Sequence, residues 1–341
     1  MPAKGPTKRT RPSARSRPMR AVPPLTATEG EAEGSALLRE VGGALGVLLW
    51  GALRDVMLWI GTAPEERGAL FGPGAAGARA REVEAGLREP ELIGPLLTLL
   101  LLVEQPAQVD PARVLHACRR VAAWAADRGH TATRLAFTQV VALAARDDAR
   151  AAIDTARLAR QLGEYPRAET WFRATIHRAR HRDWESYVWA YIGLAVLYRA
   201  TGNIAAALSV ARRALAGARR RRLHGLRGVA LHHLFALAIE SPEHGRAYDY
   251  AWAAFEAYGD DHPRLPLLAN DVATWWADHG QFARALPVFE AVLPRVDDPA
   301  ERALVASNLA RAAAGTGDLA RYRFAYASAL HAMTRPGGAA R

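Results

Sequence analysis

The stretch Gly163-Glu164-Tyr165-Pro166-Arg167-Ala168 contains a glycine, a polar residue and then an apolar residue, and this order returns three more times in the chain. The other copies begin at Gly202, Gly280 and Gly317. A glycine can take the positive φ with which a helix ends, and a polar residue after it is suited to cap the next helix. Each copy therefore predicts a turn between two helices.

The spacing of these turns predicts a repeat built from paired helices. Successive copies lie 39, 78 and 37 residues apart. Because 78 is twice 39, one turn is hidden, and we place it near Ser241-Pro242, where proline replaces glycine as the residue that interrupts the helix. A further turn is expected at Gly129, after an alanine-rich helical segment.

The residues around the turns resemble those of the tetratricopeptide repeat family. The copy that fits best carries the family's alternation of large and small residues at Tyr191, Leu194-Ala195, Tyr198, Gly202, Ala207 and Ala211. The resemblance implies an all-α fold, a right-handed superhelical solenoid of antiparallel helix pairs with a concave groove. Partial copies of the pattern lie on both sides of the best copy. The resemblance therefore covers about six helix pairs, over residues 113–331.

The remaining segments differ in composition from the repeats. Residues 1–34 are rich in proline and arginine, and they hold seven basic residues and no acid among the first twenty. We expect them to form a disordered basic tail, which either keeps the protein soluble or holds an acidic surface. Residues 35–112 are expected to form a helical N-terminal module, and residues 332–341 a flexible C-terminal tail.

The segment 35–61 is long and apolar enough to raise the question of a membrane. It contains Arg54, Asp55 and five glycines, which favour a buried or interface helix over a spanning one. We therefore expect no membrane contact. The formal net charge is +11, but only Lys4 and Lys8 are lysine, which indicates a GC-rich bacterial gene, and we expect a cytoplasmic protein.

No arrangement of residues in the sequence indicates catalysis. His177 and His181 are four residues apart, but the glutamate of a zinc-protease helix does not follow the first histidine. The single cysteine, Cys118, lies on an apolar face and is expected to be a buried thiol. We predict a protein that is not an enzyme, needs no cofactor and binds no metal.

The resemblance also implies which residues line the groove, since the first helix of each pair does so in the family. This face carries Arg119, Arg150, Arg157, Arg160, Trp189, Arg199, His232, Asn270 and Arg311. Arginine binds carboxylates through paired hydrogen bonds, and Trp189 offers an aromatic face beside them. The groove is therefore predicted to bind an acidic peptide of a partner protein. The alternative is that these arginines only solvate alanine-rich helices.

A second basic patch is predicted on the outer helices, in a region without acids. It consists of Arg212, Arg213, Arg219, Arg220, Arg221 and Arg222. The patch lacks interleaved aromatic residues, so it would bind phosphates of a nucleic acid without sequence specificity. The alternative function is therefore a regulatory protein that associates with nucleic acid through this patch or through the basic tail. The oligomeric state does not follow from the sequence.

Overall fold

The computed structural model of the protein describes residues 36–72, 74–86 and 89–334. Across these ranges the regular structure is helical and no residue lies in a strand. The predicted tail 1–34 and most of the predicted tail 332–341 lie outside the described residues. The N-terminal helices are α1 (36–41), α2 (Gly43–Gly61), α3 (Ala75–Gly86) and α4 (Pro90–Glu104).

Six helix pairs follow the N-terminal helices. They are α5 (Pro111–Asp127) with α6 (Thr131–Ala144), α7 (Ala149–Gln161) with α8 (Tyr165–Ala179), α9 (Trp184–Ala200) with α10 (Ile204–Arg220), α11 (His224–Ile239) with α12 (Ala247–Tyr258), α13 (Leu265–Asp278) with α14 (Phe282–Val292), and α15 (Pro299–Thr316) with α16 (Leu319–Thr334). Each helix packs against its neighbours in the chain, so the pairs stack in sequence order. The all-α stack of helix pairs predicted from the sequence is confirmed.

The turn glycines take the conformation that the sequence predicts. Gly163 and Gly202 have φ of 79° and 75°, in the left-handed region, and the turns at Gly129, Gly280 and Gly317 are alike. The turn of the fourth pair uses Ser241 instead, whose hydroxyl donates to the Ala238 carbonyl and accepts from the Glu243 N–H. A short 3₁₀ helix, His244–Arg246, then leads into α12.

Proline lacks the N–H that the helix ladder uses, so Pro287 in the second helix of the fifth pair is compatible with a helix that starts late or bends. The helix does not start late, because it begins at Phe282, directly after the turn, and Pro287 lies inside it. It spans 11 residues and ends at Val292, where the 3₁₀ helix Leu293–Arg295 follows.

Glycines also allow close contact between helices. A Cβ atom on Gly193 of α9 would lie 2.2 Å from Cε1 of Phe172 on α8, so the aromatic ring packs directly on the backbone of the next pair. Phe282 of α14 packs on Gly315 of α15 in the same way. These contacts join consecutive pairs, and they bury the Phe172 ring fully and the Phe282 ring in part.

The N-terminal helices contain a buried ion pair, and they are hydrogen-bonded to the first helix pair. Asp55 of α2 is 3% exposed, and its two carboxylate oxygens accept hydrogen bonds from Arg79 of α3 at 2.6 and 3.1 Å. Glu40 accepts hydrogen bonds from the N–H groups of Ala132 and Thr133, at the start of α6, which ties the module to the first pair. By length and composition α2 could cross a membrane, and half of its apolar window is buried in the protein.

Candidate functional site

The first helices of the pairs lie on the inner side of the stack. Helices α7, α9 and α11 contact one another in succession, and α13 contacts both α11 and α15. The second helices make their substantial contacts with first helices, and α6 also contacts α2 of the N-terminal module. Elements on the inside of a curved stack approach each other more closely than those outside it, so the first helices line the concave surface.

Three of the predicted groove arginines make ion pairs with the neighbouring pair of helices. Arg119 contacts Asp148 at 2.9 Å, and Arg311 contacts Asp278 at 2.6 Å. Arg199 pairs with Glu240, at the end of α11. All three arginines remain about half exposed, so each ion pair contributes little to stability. These contacts neutralise part of the positive charge that the sequence suggests for the groove.

Two further groove residues hold consecutive pairs together. His232, which is buried, has its Nε2 atom 2.8 Å from Oδ2 of Asp271 on α13. Asn270, 2% exposed, accepts a hydrogen bond from Nδ2 of Asn308 on α15 at 3.1 Å. Buried polar groups need such partners, and these two side chains are satisfied by the protein itself. His232 and Asn270 are therefore part of the packing between pairs.

The structure brings Arg157 and Trp189 together and adds an arginine that the sequence reasoning missed. The guanidinium carbon of Arg157 lies 5.3 Å from the centre of a Trp189 ring, and that of Arg264 lies 5.4 Å away. We call Arg157, Trp189 and Arg264 the Trp189 site. Arg264 escaped prediction because it lies in the turn before α13 and not on the face of a first helix.

A cavity of about 490 Å³ opens beside Trp189. Arg264, His224 and His262 line it, with Glu185 as the one acid. A second cavity, of about 400 Å³, lies between α5, α6 and α7, and its lining holds as many aspartates as arginines: Arg119, Arg134, Arg150, Asp127, Asp148 and Asp154. The recess beside Trp189 is therefore the one of the two with more basic than acidic side chains in its lining.

The electrostatic balance around the Trp189 site is positive. Burial lowers the pKa of Arg157, and the neighbouring cations Arg264 and Arg160 act in the same direction. The carboxylate of Asp154 lies 3.5 Å from Arg157, and burial raises the pKa of that carboxyl group. Within the described chain, neither Arg160 nor Arg264 has an ion-pair partner. The site therefore has more positive charge than its own acids neutralise.

His233, next to His232 on α11, makes stability depend on pH. Burial lowers the pKa of His233 from 6.5 to about 3, and nearby positive charges act in the same direction. The unfolded chain binds a proton that the folded chain does not, so stability falls as the pH decreases below 6.5 toward about 3. We expect His233 to account for about 2 kcal/mol of lost stability between pH 7 and pH 5.

Urea denaturation at these two pH values tests this expectation, with His233→Leu as the comparison. The variant places an apolar side chain of similar size at this position, and that side chain cannot bind a proton. It is expected to lose this part of the pH dependence. If the variant and the original protein lose the same stability on acidification, His233 is not kept neutral by burial.

The outer arginine patch lies on α10 and in the turn after it. Arg212 pairs with Glu243, and the guanidinium of Arg221 lies 4.3 Å from the centre of a Trp184 ring. The other four members, Arg213, Arg219, Arg220 and Arg222, are exposed, and none of them has an ion-pair partner within the described part of the chain. Two of the six predicted patch residues therefore pack against the protein and four face solvent.

Among the described residues, no group of three or more histidine, cysteine, aspartate or glutamate side chains lies close enough together to hold a metal ion. Cys118 is fully buried, as predicted, and burial raises the pKa of its thiol to about 12. A thiol with this pKa stays protonated at neutral pH and is a poor nucleophile. Cys118 therefore acts as an apolar residue of the first pair.

Comparison with known proteins identifies one repeat of the stack. Residues 188–227, which span most of α9, all of α10 and the start of α11, match the family model of the tetratricopeptide repeat. The resemblance suggested by the sequence is thereby confirmed for this pair. No curated protein matches the chain at a significant level.

Two solved structures are similar to the chain at low identity. BtubC from P. vanneervenii is 20% identical with a TM-score of 0.49, over 65% of this chain and 90% of that one. A Rap protein in complex with competence and sporulation factor is 8% identical with a TM-score of 0.49, over 84% of this chain and 97% of that one. At these values the two likenesses do not bear on function.

Proposed function

We propose that this protein is a non-catalytic scaffold that binds an acidic segment of a partner protein in its concave groove, with the Trp189 site as the anchor. The observation that carries the proposal is the placement of two arginines, Arg157 and Arg264, within 5.4 Å of a Trp189 ring centre. The tetratricopeptide repeat at residues 188–227 supports a protein-interaction role, because stacked repeats present extended concave surfaces to their partners.

The chemistry of the site favours carboxylates next to an apolar or aromatic side chain. Each guanidinium can donate two parallel hydrogen bonds to one carboxylate. The indole of Trp189, between the two arginines, can cover an apolar side chain of the partner. Arg160 and Arg150 extend the positive charge along α7. A segment with several aspartate or glutamate residues would therefore find partners along one helix face, whereas a basic segment would be repelled.

A quantitative pull-down tests the proposal. The full-length protein is compared with an Arg157→Glu, Arg264→Glu variant, and bound proteins are counted by mass spectrometry. We expect the variant to lose its main partners by tenfold or more, since each reversal replaces an attraction by a repulsion at a partly buried site. The lost partners should share an acidic segment that is protected from proteolysis in the complex.

The matched control is Arg219→Glu, Arg220→Glu on the outer patch, which changes the net charge by the same amount. This control should retain the partners. If the groove variant retains them as well, or if the partners bind through segments without acids, the groove proposal is wrong. The helical circular dichroism of both variants must equal that of the original protein.

A second candidate function is nucleic-acid binding by the outer patch. The observation that favours it is the exposure of Arg213, Arg219, Arg220 and Arg222, whose charges no described acid neutralises. Such a patch would bind phosphates with a steep dependence on salt and without base specificity. The same outer-patch variant separates the two functions, because it should abolish retention on DNA or RNA and leave the peptide groove intact.

A further inference from the structure

The last helix of the stack carries an exposed apolar stripe. Five large side chains, spaced three or four residues apart, lie on one face of α16 and are 36% to 65% exposed: Leu319, Tyr322, Tyr326, Leu330 and Met333. A contiguous apolar surface of this kind on a folded protein marks an interaction site. No other helix of the described chain covers this stripe.

The position of the stripe in the repeat pattern indicates which surface it corresponds to in the other pairs. Tyr326 lies nine residues after its turn glycine, the position that Phe172 occupies in the second pair and Phe289 in the fifth. Both phenylalanines are 0% exposed, and Phe172 is covered by α9 of the next pair at Gly193. The stripe on α16 is therefore the surface that would contact a following pair, and a helix packed there would continue the stack.

A complementary face lies in the N-terminal module, on α4. Ile93, Leu97 and Leu101 lie four residues apart on one side of this helix and are 42%, 46% and 37% exposed. Glu104 continues the same side and is exposed. The face is shorter than the stripe on α16, and it consists of aliphatic side chains where α16 presents two tyrosines.

The charges of the two helices decide which faces can meet. Helix α16 contains Arg321, Arg323 and His331 and no acid, whereas α4 contains Glu91 and Glu104 and no basic residue. Arg321 is paired with Glu290 and Asp318, and Glu91 lies 3.6 Å from Arg128, so Arg323 and Glu104 are the charges that have no ion-pair partner among the described residues. Contact between two copies of α16 would bring arginines together, and contact between two copies of α4 would bring glutamates together. Only contact between α16 and α4 places opposite charges beside the apolar stripes.

We propose that the α16 face of one molecule docks on the α4 face of a second copy, so that the protein associates head to tail. The contact is heterologous, since each molecule uses two different surfaces and keeps one of each free. Assembly therefore does not close at a dimer but grows with concentration. One helix face against another buries little area, so the association is weak and reversible. The proposal does not depend on the function proposed for the groove.

The test is the average molar mass as a function of concentration, by light scattering or sedimentation of the full chain. We expect the mass to rise above that of the monomer and to pass the dimer. A variant with a blocked α16 face, Tyr326→Glu with Leu330→Glu, and a variant with a blocked α4 face, Leu97→Lys with Leu101→Lys, should each remain monomeric. Phe324→Glu, which lies on α16 but outside the stripe, should associate like the original protein.

A mixture of the two blocked variants decides between the possible geometries. Each variant keeps the face that the other lacks, so the mixture should form a one-to-one dimer and nothing larger. The proposal is overturned if the original protein stays monomeric, if the α4 variant associates as well as the original, or if the mixture stays monomeric. The substituted side chains are exposed, and unchanged thermal unfolding of each variant shows that folding is intact.

Discussion

Replacing Phe172 with alanine is expected to lower the free energy of unfolding by about 3–5 kcal/mol. The ring is fully buried and packs on the backbone of Gly193, across the boundary between the second and third pairs. Its removal leaves a cavity at a junction, and the stability of a stacked array depends on the contacts between neighbouring pairs. Urea denaturation followed by helical circular dichroism measures the loss.

The matched control is Phe324→Ala, which removes the same ring from a position that is 65% exposed on α16. This variant should change stability by no more than about 0.5 kcal/mol. A second comparison uses Gly193→Ala, whose new methyl group would lie 2.2 Å from the Phe172 ring. It should be destabilising alone and nearly harmless when Phe172 is already alanine. Equal costs for Phe172→Ala and Phe324→Ala would contradict the packing between pairs.

Replacing Arg79 with alanine is expected to cost a similar amount, about 3–5 kcal/mol. Arg79 donates hydrogen bonds to both oxygens of Asp55, whose side chain is 5% exposed inside the N-terminal module. Without Arg79 the carboxylate is left in an apolar layer, where an unpaired charge is unfavourable. The exposed Arg54 also contacts Asp55 at 3.2 Å, but a partner in solvent cannot replace the buried one.

Arg81→Ala serves as the control for the Arg79 variant, because Arg81 lies on the same helix and is exposed. It should leave the free energy of unfolding unchanged within about 0.5 kcal/mol. The double variant Asp55→Leu, Arg79→Leu should recover most of the stability, since apolar side chains often replace a buried ion pair without loss. A loss for the double variant as large as that for Arg79→Ala would show that the unpaired charge is not the cause.

The sequence predicts the order of helices well because each turn has a local cause. A glycine with positive φ ends a helix at Gly163 and Gly202 wherever the rest of the chain lies, so no tertiary information is needed. The turn near Ser241 was predicted from the spacing of the other turns. Its mechanism, a serine side chain bonded to the backbone on both sides, differs from the breaking of a helix by proline.

The groove was predicted less completely because its chemistry depends on contacts between distant residues. The resemblance selects Arg119, Arg199 and Arg311 by their place on a first helix, but the acids that pair with them belong to the next or the preceding pair, 29 to 41 residues away. Arg264 was missed because it lies in the turn before α13, far along the chain from Trp189 on α9, which it contacts in the folded protein. A repeat pattern does not encode which acids lie close to a given arginine in the folded protein. Those contacts decide which arginines remain free.

The affinity of an acidic peptide tests the central claim most directly. The peptide is the protease-protected segment of the captured partner, and its dissociation constant is measured by titration calorimetry with the full-length protein. We expect Arg157→Glu, Arg264→Glu to weaken binding by about 30-fold or more, roughly 2 kcal/mol, and Arg219→Glu, Arg220→Glu to leave it within about twofold. Binding of equal affinity to the groove variant and to the original protein would contradict recognition at the Trp189 site.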